Sequence, residues 1–374
     1  MHLCQFLLWQ GNSPIMSKSN IKKIMSSAQA INDALKIAGT RDKSVILFGE
    51  GINDPASFFG TTKGLKDIYG SKRIIEMPIS ENALTGIAVG AAVAGKRPVI
   101  SFHRVEFALL AMEQIINNAA KMHYTSNGLH SAPIIIRLIV GRGWGQGPSH
   151  SQSLESMFSA IPGLRVFAPV FPNDYKGMLL AALDDNSPCI FIEHRWTHYI
   201  KGEVNNDYYT SDILGPQKIN EGINCTVVAV SISTLEAIRA AEFLKKIDVS
   251  LDIFDMRVLS PINIDEIIDS VKKTGHLITV DLGVKSYGVG SEIISQLIPK
   301  TWGYLKKPPV QIGLPNHPIP SSRGYLENVY PNSKMIVNAV FELLDLKINT
   351  EINLDDLDSN TEIDTPNPDF RGPF

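Results

Sequence analysis

The sequence predicts an α/β protein of two three-layer domains, each with a largely parallel sheet between layers of helices. The chain has 374 residues, which is too long for one ordinary core. Short apolar runs alternate with helical patterns almost from end to end, which is typical of parallel sheets covered by helices. These runs do not alternate apolar with polar residues, which is typical of strands that are buried on both faces.

The first domain is expected over residues 26–205, after an N-terminal extension of residues 1–25. Five apolar runs predict its strands, which are Ser44–Phe48, Pro98–Phe102, Pro133–Val140, Arg165–Pro169 and Cys189–Glu193. Periodic stretches between them predict the helices Ala83–Gly95, Leu109–His123 and Asp174–Asp184. The extension has neither a basic leader nor a clear cleavage site, so a signal peptide is not expected.

A polar linker is expected over residues 206–224, and the alternation resumes over residues 225–345. The predicted strands there are Thr226–Ile232, Val249–Met256, His276–Leu282 and Val310–Leu314. The predicted helices are Leu235–Ile247, Ile264–Thr274, Gly290–Ile298 and Ser333–Leu346. The acidic tail of residues 346–374 has few large apolar side chains and is expected to be flexible.

Composition limits the classes of partner. The net charge of −3 gives no reason to expect nucleic acid or an anionic membrane surface. No apolar stretch approaches the roughly 20 residues that span a bilayer. The cysteines Cys4, Cys189 and Cys225 are far apart and odd in number, which favours reduced thiols in a cytoplasmic protein.

Several short motifs resemble known binding sites, but the residues around them do not fit those sites. Gly90–Arg97 nearly spells a P-loop, but Arg97 replaces the Ser or Thr that would hold magnesium, and the glycines fall inside a predicted helix. Gly141–Gly147 has glycine at every second position, which is not the dinucleotide-binding spacing. The sequence has no HExxH and no GxSxG motif. Nucleotide, zinc and serine-hydrolase chemistry are therefore not expected.

The most informative segment is Pro78–Gly95, PISENALTGIAVGAAVAG. Ser80 can cap a helix, and Glu81 falls in the first turn, where the helix dipole favours a carboxylate. The residues that follow are almost all small, so another segment or subunit can approach this helix closely. From position alone, the favoured interpretation of Glu81 is a helix-start residue without a catalytic role.

This segment resembles the cofactor-activating segment of a known family. The family comprises the beta subunits of the decarboxylating components of pyruvate, branched-chain and acetoin dehydrogenases, which are relatives of transketolase. The resemblance continues through LFGEGIND, SFHRVEFALLAMEQIINNAAKMHY, GQGPSHSQSLE, IPGLRVFAP, NSPCIFIEHRW and VDLGVKSYGVGSEI. It covers roughly residues 26–340, with the motifs in order. It implies a transketolase-like pyrimidine-binding domain followed by a transketolase C-terminal-like domain.

The resemblance implies thiamine diphosphate as the cofactor for decarboxylation of a small 2-oxo acid. It makes Glu81 the acid–base residue that hydrogen-bonds the pyrimidine ring and so activates the cofactor. Glu50 and Ile79 match other positions near the cofactor, and Phe107 matches the aromatic residue that packs on the pyrimidine ring. His150 matches a histidine at the channel mouth that assists decarboxylation and acyl transfer to a lipoyl arm.

Other positions are less specific. His103, His194 and Arg195 lie at or just beyond predicted strand ends, where ligand crevices form in open α/β sheets, and structural and functional roles are equally open. Family members also hold a potassium ion through main-chain carbonyls, at positions that match Ile134, Ala182, Asp185 and Ser187. Ile161 replaces a histidine of the better-known members, so the choice of 2-oxo acid and the use of a lipoyl acceptor stay open.

The family binds the diphosphate and its magnesium with a GDG…N motif, which this sequence lacks. The resemblance therefore implies a separate alpha subunit with that motif, a cofactor at the alpha–beta interface, and magnesium held through the alpha subunit. The implied assembly is a two-alpha, two-beta heterotetramer with beta–beta contacts and a lipoyl-bearing acyltransferase as partner. Two alternatives are a split transketolase-like enzyme that transfers two-carbon units and a non-catalytic scaffold subunit. Retention of Glu81 and His150 speaks against the scaffold.

Overall fold

Two parallel-sheet units follow each other along the chain in the computed structural model, which describes residues 21–54, 59–143, 145–347 and 353–357. The first half contains, in order, β1 (Lys22–Ser26), α1 (Ser27–Arg41), β2 (Val45–Gly49), α2 (Leu65–Tyr69), β3 (Ile74–Glu76), α3 (Glu81–Val93), β4 (Arg97–Phe102), α4 (Val105–Ala108), α5 (Met122–Thr125), β5 (Ile135–Val140), α6 (Gly147–His150), α7 (Glu155–Ser159), β6 (Arg165–Phe167), α8 (Pro172–Asp184), β7 (Cys189–His194) and β8 (Lys201–Asn205). The second half contains β9 (Gln217–Asn220), β10 (Cys225–Ala229), α9 (Ser233–Leu244), β11 (Leu251–Asp255), β12 (Val258–Ser260), α10 (Asp265–Thr274), β13 (Leu277–Val284), α11 (Val289–Thr301), β14 (Val310–Leu314) and α12 (Ser333–Leu343). The predicted fold class is confirmed.

The larger sheet has seven strands in the order β12-β6-β7-β5-β4-β2-β3. Its neighbours pair in parallel except β12, which is antiparallel to β6. Strands β2, β5 and β7 are buried along their whole length, as their continuous apolar runs predict. Because parallel strands end at one edge of a sheet, β2 and β4 deliver Glu50 and His103 to the same edge.

The second sheet has five strands in the order β14-β13-β10-β11-β9, with β9 antiparallel to β11. Buried apolar contacts continue from this unit into the first, because Leu84 and Phe158 belong to the same core cluster as Phe254 and Leu297. The strand β12 adds a second connection, since it follows β11 along the chain but pairs in the first sheet. Among the described helices, none is both long enough and apolar enough to cross a bilayer.

Three segments differ from the sequence prediction at the domain edges. Residues 22–25 of the expected extension belong to β1, because their main-chain groups pair with β8, while residues 1–20 lie outside the described residues. The expected linker contains β9, which completes the edge of the second sheet. In the acidic tail, Leu354–Leu357 form a 3-10 turn because Leu357 is buried against the second unit, where Arg239 Nη2 donates to its main-chain oxygen at 3.0 Å. The rest of that tail lies largely outside the described residues.

The helix predicted over residues 109–123 is not one regular α-helix. A 3-10 turn (Leu109–Ala111) follows α4, and a π-helical stretch (Gln114–Ala119) precedes α5. A Cβ on Gly86 would lie 3.4 Å from the Gln114 side chain, so the π-helical stretch packs closely on α3. The small residues of α3 thus admit a neighbouring segment, and that segment belongs to the same chain.

Candidate active site at the carboxyl edge of the first sheet

Glu81 begins helix α3 and lies in its first turn. The residue is only 5% exposed, although carboxylates are rarely buried without a functional or electrostatic reason. The partial positive charge of a helix N-terminus favours an acidic residue in the first turn. Ser80 occupies the N-cap position as predicted, but its hydroxyl makes no capping hydrogen bond within this helix. The helix dipole is therefore the local feature that favours an acidic residue here.

Glu50 follows the last residue of β2 and lies beside Glu81. Burial raises the pKa of Glu50, and the charges of Glu81 and Glu76 raise it further, while a hydrogen bond from the Ser80 amide acts in the opposite direction. Glu76 is already engaged, because it accepts from the amides of Gly51 (2.5 Å) and Asn53 (3.0 Å). Glu50 Oε1, in contrast, is buried without a hydrogen-bond partner among the described residues.

Phe107 and His150, two further residues implied by the resemblance, contact each other. Phe107 lies in α4, just after β4, and His150 is the last residue of the short helix α6. Their rings meet edge to face, with centroids 5.7 Å apart. His150 Nδ1 is buried and has no hydrogen-bond partner within the described part of the chain. The ring is therefore held by packing, with one nitrogen left for a bound molecule.

Ile79 lies two residues before Glu81 and is 83% exposed. The side chain of Ile79 is therefore accessible to a ligand or a partner chain.

His103 follows β4 and, of the three strand-end residues whose role was open, is the one that reaches Glu50. Its Nε2 donates to the main-chain oxygen of Glu50. Burial lowers the pKa of His103, and this outweighs the opposite effect of that hydrogen bond. Both residues line a small crevice, whose other lining residues are Ile52, Thr61, Thr62, Ser101, Arg137 and Ile139. A crevice thus adjoins the candidate cofactor carboxylate.

His194 and Arg195 lie elsewhere. His194 is fully buried and lines a small crevice between the two units, together with Glu155, Ser231 and Asp281. Its Nδ1 accepts from the Trp196 amide at 3.2 Å, and burial lowers its pKa well below the usual range.

Arg195 donates from Nε to the main-chain oxygen of Arg142 at 3.1 Å. This contact supports the glycine-rich loop, whereas His194 lines the crevice between the units. Neither residue lines the crevice beside Glu50.

Of the four positions implied for potassium, Asp185 has a main-chain oxygen that already contacts a cationic side chain. Arg97 Nη1 donates to the main-chain oxygens of Asp185 and Leu183, both at 2.8 Å. A guanidinium therefore brings a positive charge to one of the implied carbonyl ligands. The Ile134 oxygen also accepts from the Cys189 amide at 2.8 Å.

Two buried acids were missed by sequence reasoning. Burial and the charge of Asp281 raise the pKa of Glu155 to about 7, and burial raises the pKa of Asp281 to about 6. They come from different units, so no local motif marks them. Arg104, which contacts the loop around His150, was also missed, because its partners lie far along the chain.

The chain matches two family models in order. These are "Transketolase, pyrimidine binding domain" over residues 23–198 and "Transketolase, C-terminal domain" over residues 217–335. A solved split-gene transketolase, described as an inactive beta4 tetramer, is similar with a TM-score of 0.70 and 21% identity, over 87% of this chain and 99% of that chain. At this identity the likeness shows the fold alone.

Relatives of similar length share about a third of their residues with this chain. A pyruvate dehydrogenase E1 component subunit beta from Rickettsia bellii is 33% identical over 312 residues, which cover 83% of this chain and 96% of the relative. An acetoin:2,6-dichlorophenolindophenol oxidoreductase subunit beta from Cupriavidus necator is 35% identical over 326 residues, covering 84% and 96%. This chain therefore belongs to the family of beta subunits of 2-oxo acid dehydrogenase E1 components, built from transketolase-like pyrimidine-binding and C-terminal domains.

Proposed function

We propose that this chain is the cofactor-activating half of a thiamine-diphosphate-dependent 2-oxo acid decarboxylase and that it works with an alpha subunit. The observation that carries the proposal is the buried carboxylate of Glu81 beside Glu50, whose Oε1 lacks a partner among the described residues. Buried polar atoms are normally hydrogen-bonded, so an unpartnered carboxylate oxygen at a sheet edge fits a bound group that supplies a donor.

Thiamine diphosphate, when bound, supplies the electron sink for loss of CO₂ from a 2-oxo acid. Glu81 would hold a proton against a nitrogen of the pyrimidine ring. Glu50 would accept a hydrogen bond at Oε1. Phe107 and Ile79 would give the ring apolar contacts. His150 would move a proton at the substrate side, through the nitrogen that has no other described partner.

The alpha subunit would supply what this sequence lacks. No GDG…N motif occurs in the chain, so the diphosphate and magnesium are assigned to the partner. Exposed apolar side chains around the site, those of Ile79, Ile87 and Leu110, would be covered by that partner. The proposed assembly is a two-alpha, two-beta heterotetramer with beta–beta contacts through the second unit. A lipoyl-bearing acyltransferase as acceptor, and a cytoplasmic location, stay predictions.

We propose domains over residues 26–205 and 225–345, with β1 added to the first domain and β9 added to the second.

Potassium is left out of the proposed function, because Arg97 already contacts one of its expected ligands. A two-carbon transfer between sugars is the weaker candidate, since the relatives at 33% and 35% identity bear the names of pyruvate and acetoin enzymes.

The test measures binding of thiamine diphosphate with magnesium by calorimetry. We expect no tight binding to the purified chain and tight binding after an alpha subunit with a GDG…N motif is added, together with CO₂ release from a 2-oxo acid. Tight binding and decarboxylation by the chain alone would contradict the proposed division of labour.

A further inference from the structure

The loop that carries His150 would be mobile if nothing held it. Four of its residues are glycines with φ between 57° and 132°, namely Gly141, Gly143, Gly145 and Gly147. Residues with a side chain rarely adopt these angles, and a run of such glycines has many conformations when free. Holding one conformation therefore costs entropy that specific contacts must offset.

Arg104 makes three of these contacts, and Arg195 adds the bond to the Arg142 main-chain oxygen. Arg104 follows β4 and is 9% exposed. Its Nη1 donates to the main-chain oxygen of Gly141 at 3.1 Å and to that of His150 at 2.6 Å, and its Nη2 donates to the side-chain oxygen of Gln146. One planar guanidinium thus joins the beginning, the middle and the end of the loop. Hydrogen bonds from a charged donor are stronger than neutral ones, which suits a buried clamp.

The same short segment contacts the loop at two further points. Glu106 Oε1 accepts from the Gln152 amide at 2.9 Å, just beyond His150. The next residue, Phe107, packs its ring edge to face against the His150 ring. Residues 104–107 therefore hold both the main chain on either side of His150 and the face of its imidazole.

We propose that Arg104 is a positioning residue that fixes His150 for catalysis, which rests on the proposed function of His150. Arg104 acts on the main-chain oxygen of His150 and on the loop, so it needs no contact with substrate. The role depends on the fork shape of the guanidinium as well as its charge. A lysine has the same charge, but its single ammonium cannot span three separated acceptors.

The first test measures hydrogen exchange of the loop amides, residues 145–152, in the purified chain. Arg104→Met and Arg104→Lys are compared with Arg97→Met, which removes another multiply bonded arginine at the opposite end of β4. We expect exchange to rise by about tenfold or more in both Arg104 variants and to stay unchanged in this loop in the control. Unchanged exchange in Arg104→Met overturns the proposal.

The second test measures kcat and KM for the 2-oxo acid in the reconstituted alpha–beta complex. We expect kcat to fall by about tenfold or more in both Arg104 variants while KM changes by less than about twofold. The proposal is overturned if Arg104→Lys keeps the full kcat, or if the Arg104 variants have a mobile loop but an unchanged kcat. Either result leaves the proposed function intact. A wild-type complex that decarboxylates no 2-oxo acid overturns the proposed function, and with it the role in turnover, even if the exchange result holds.

A milder pair of variants covers the case in which Arg104→Met fails to fold. Glu106→Ala removes the acceptor of the Gln152 amide, whereas Glu106→Gln keeps an acceptor oxygen in its place. Faster exchange at residues 150–152 and lower kcat in the alanine variant alone would support positioning by residues 104–107. Equal behaviour of the two variants would contradict it.

Discussion

The carboxylate of Glu50 lies close enough to that of Glu81 for the charge of Glu81 to raise the pKa of Glu50, in addition to the larger effect of burial. The Ser80 amide, immediately before Glu81, donates to Glu50 and so joins the two segments. Strand β2 and helix α3 thus bring two acids to one edge of the larger sheet. Close acids of this kind are frequent where an enzyme holds or moves a proton, because their proximity makes one of them easier to protonate.

Glu50→Gln should separate stability from function. The substitution removes a negative charge that burial and two neighbouring glutamates oppose, so we expect the melting temperature of the purified chain at pH 8 to stay equal or rise slightly. Turnover of the alpha–beta complex should fall by about tenfold or more. Glu203→Gln, an exposed glutamate on β8, is the control. A lower melting temperature with normal turnover would assign Glu50 a structural role instead.

Glu155 should make the chain less stable as the pH rises. Its pKa is about 7 in the folded chain, against an ordinary value of 4.5, so between these values the folded state binds more protons than the unfolded state. Stability therefore declines between about pH 5 and pH 8, by up to about 3 kcal/mol from this group. The glutamine in Glu155→Gln stays neutral at every pH, so the stability of this variant should fall much less between pH 5 and pH 8. Urea midpoints at pH 5 and pH 8 measure it, and parallel changes in both proteins would refute the assignment.

Removing one member of the buried ion pair of Arg137 and Glu193 should destabilise the chain strongly, whereas replacing both with apolar residues should destabilise it little. Arg137 Nε and Glu193 Oε1 are 2.5 Å apart, and both side chains are almost fully buried. Burial alone would raise the pKa of Glu193, but Arg137 and His198 outweigh it and lower the pKa to about 2. Glu193→Ala should cost about 3–5 kcal/mol, because it leaves a buried guanidinium unpaired. The double variant Arg137→Met, Glu193→Leu should recover most of the unfolding free energy that Glu193→Ala loses, as measured by urea unfolding. An equal loss of stability in the single and the double variant would contradict this prediction.

Because of Arg97, the melting temperature of the wild-type chain should not depend on which monovalent cation is present. Its guanidinium contacts the Asp185 main-chain oxygen, so exchanging potassium for sodium should leave the melting temperature unchanged. In Arg97→Met the carbonyls lose that positive charge, and potassium should then raise the melting temperature more than sodium does. A rise of several degrees with potassium in the wild-type chain would restore the ion site that the family resemblance implies.

The sequence alone predicts the elements whose signal is local. Apolar runs mark β2, β5 and β7, and the position of Glu81 in a first helical turn follows from Ser80 and the small residues after it. The family resemblance adds Glu50, Phe107 and His150. In the structure the charge of Glu81 acts on Glu50, and the Phe107 ring contacts the His150 ring.

Features that depend on distant parts of the chain could not be predicted in this way. Strand β12 pairs with β6 although it lies in the second half of the chain, and Arg104 reaches a loop that begins after the next strand, β5. The edge strands β1 and β9 are polar and short, so their pairing has no periodic signal. Their partners decide their conformation, since tertiary contacts override weak local preference.

The most direct measurement is turnover of a reconstituted alpha–beta complex that carries Glu81→Gln, with Glu203→Gln as the matched control. Glutamine keeps the size and one acceptor oxygen of Glu81 but cannot exchange a proton, so we expect kcat to fall on the order of a hundredfold or more. Assembly with the alpha subunit and binding of thiamine diphosphate should persist. Unchanged kcat in a correctly assembled complex would show that Glu81 performs no acid–base step and would favour a scaffold role for the chain.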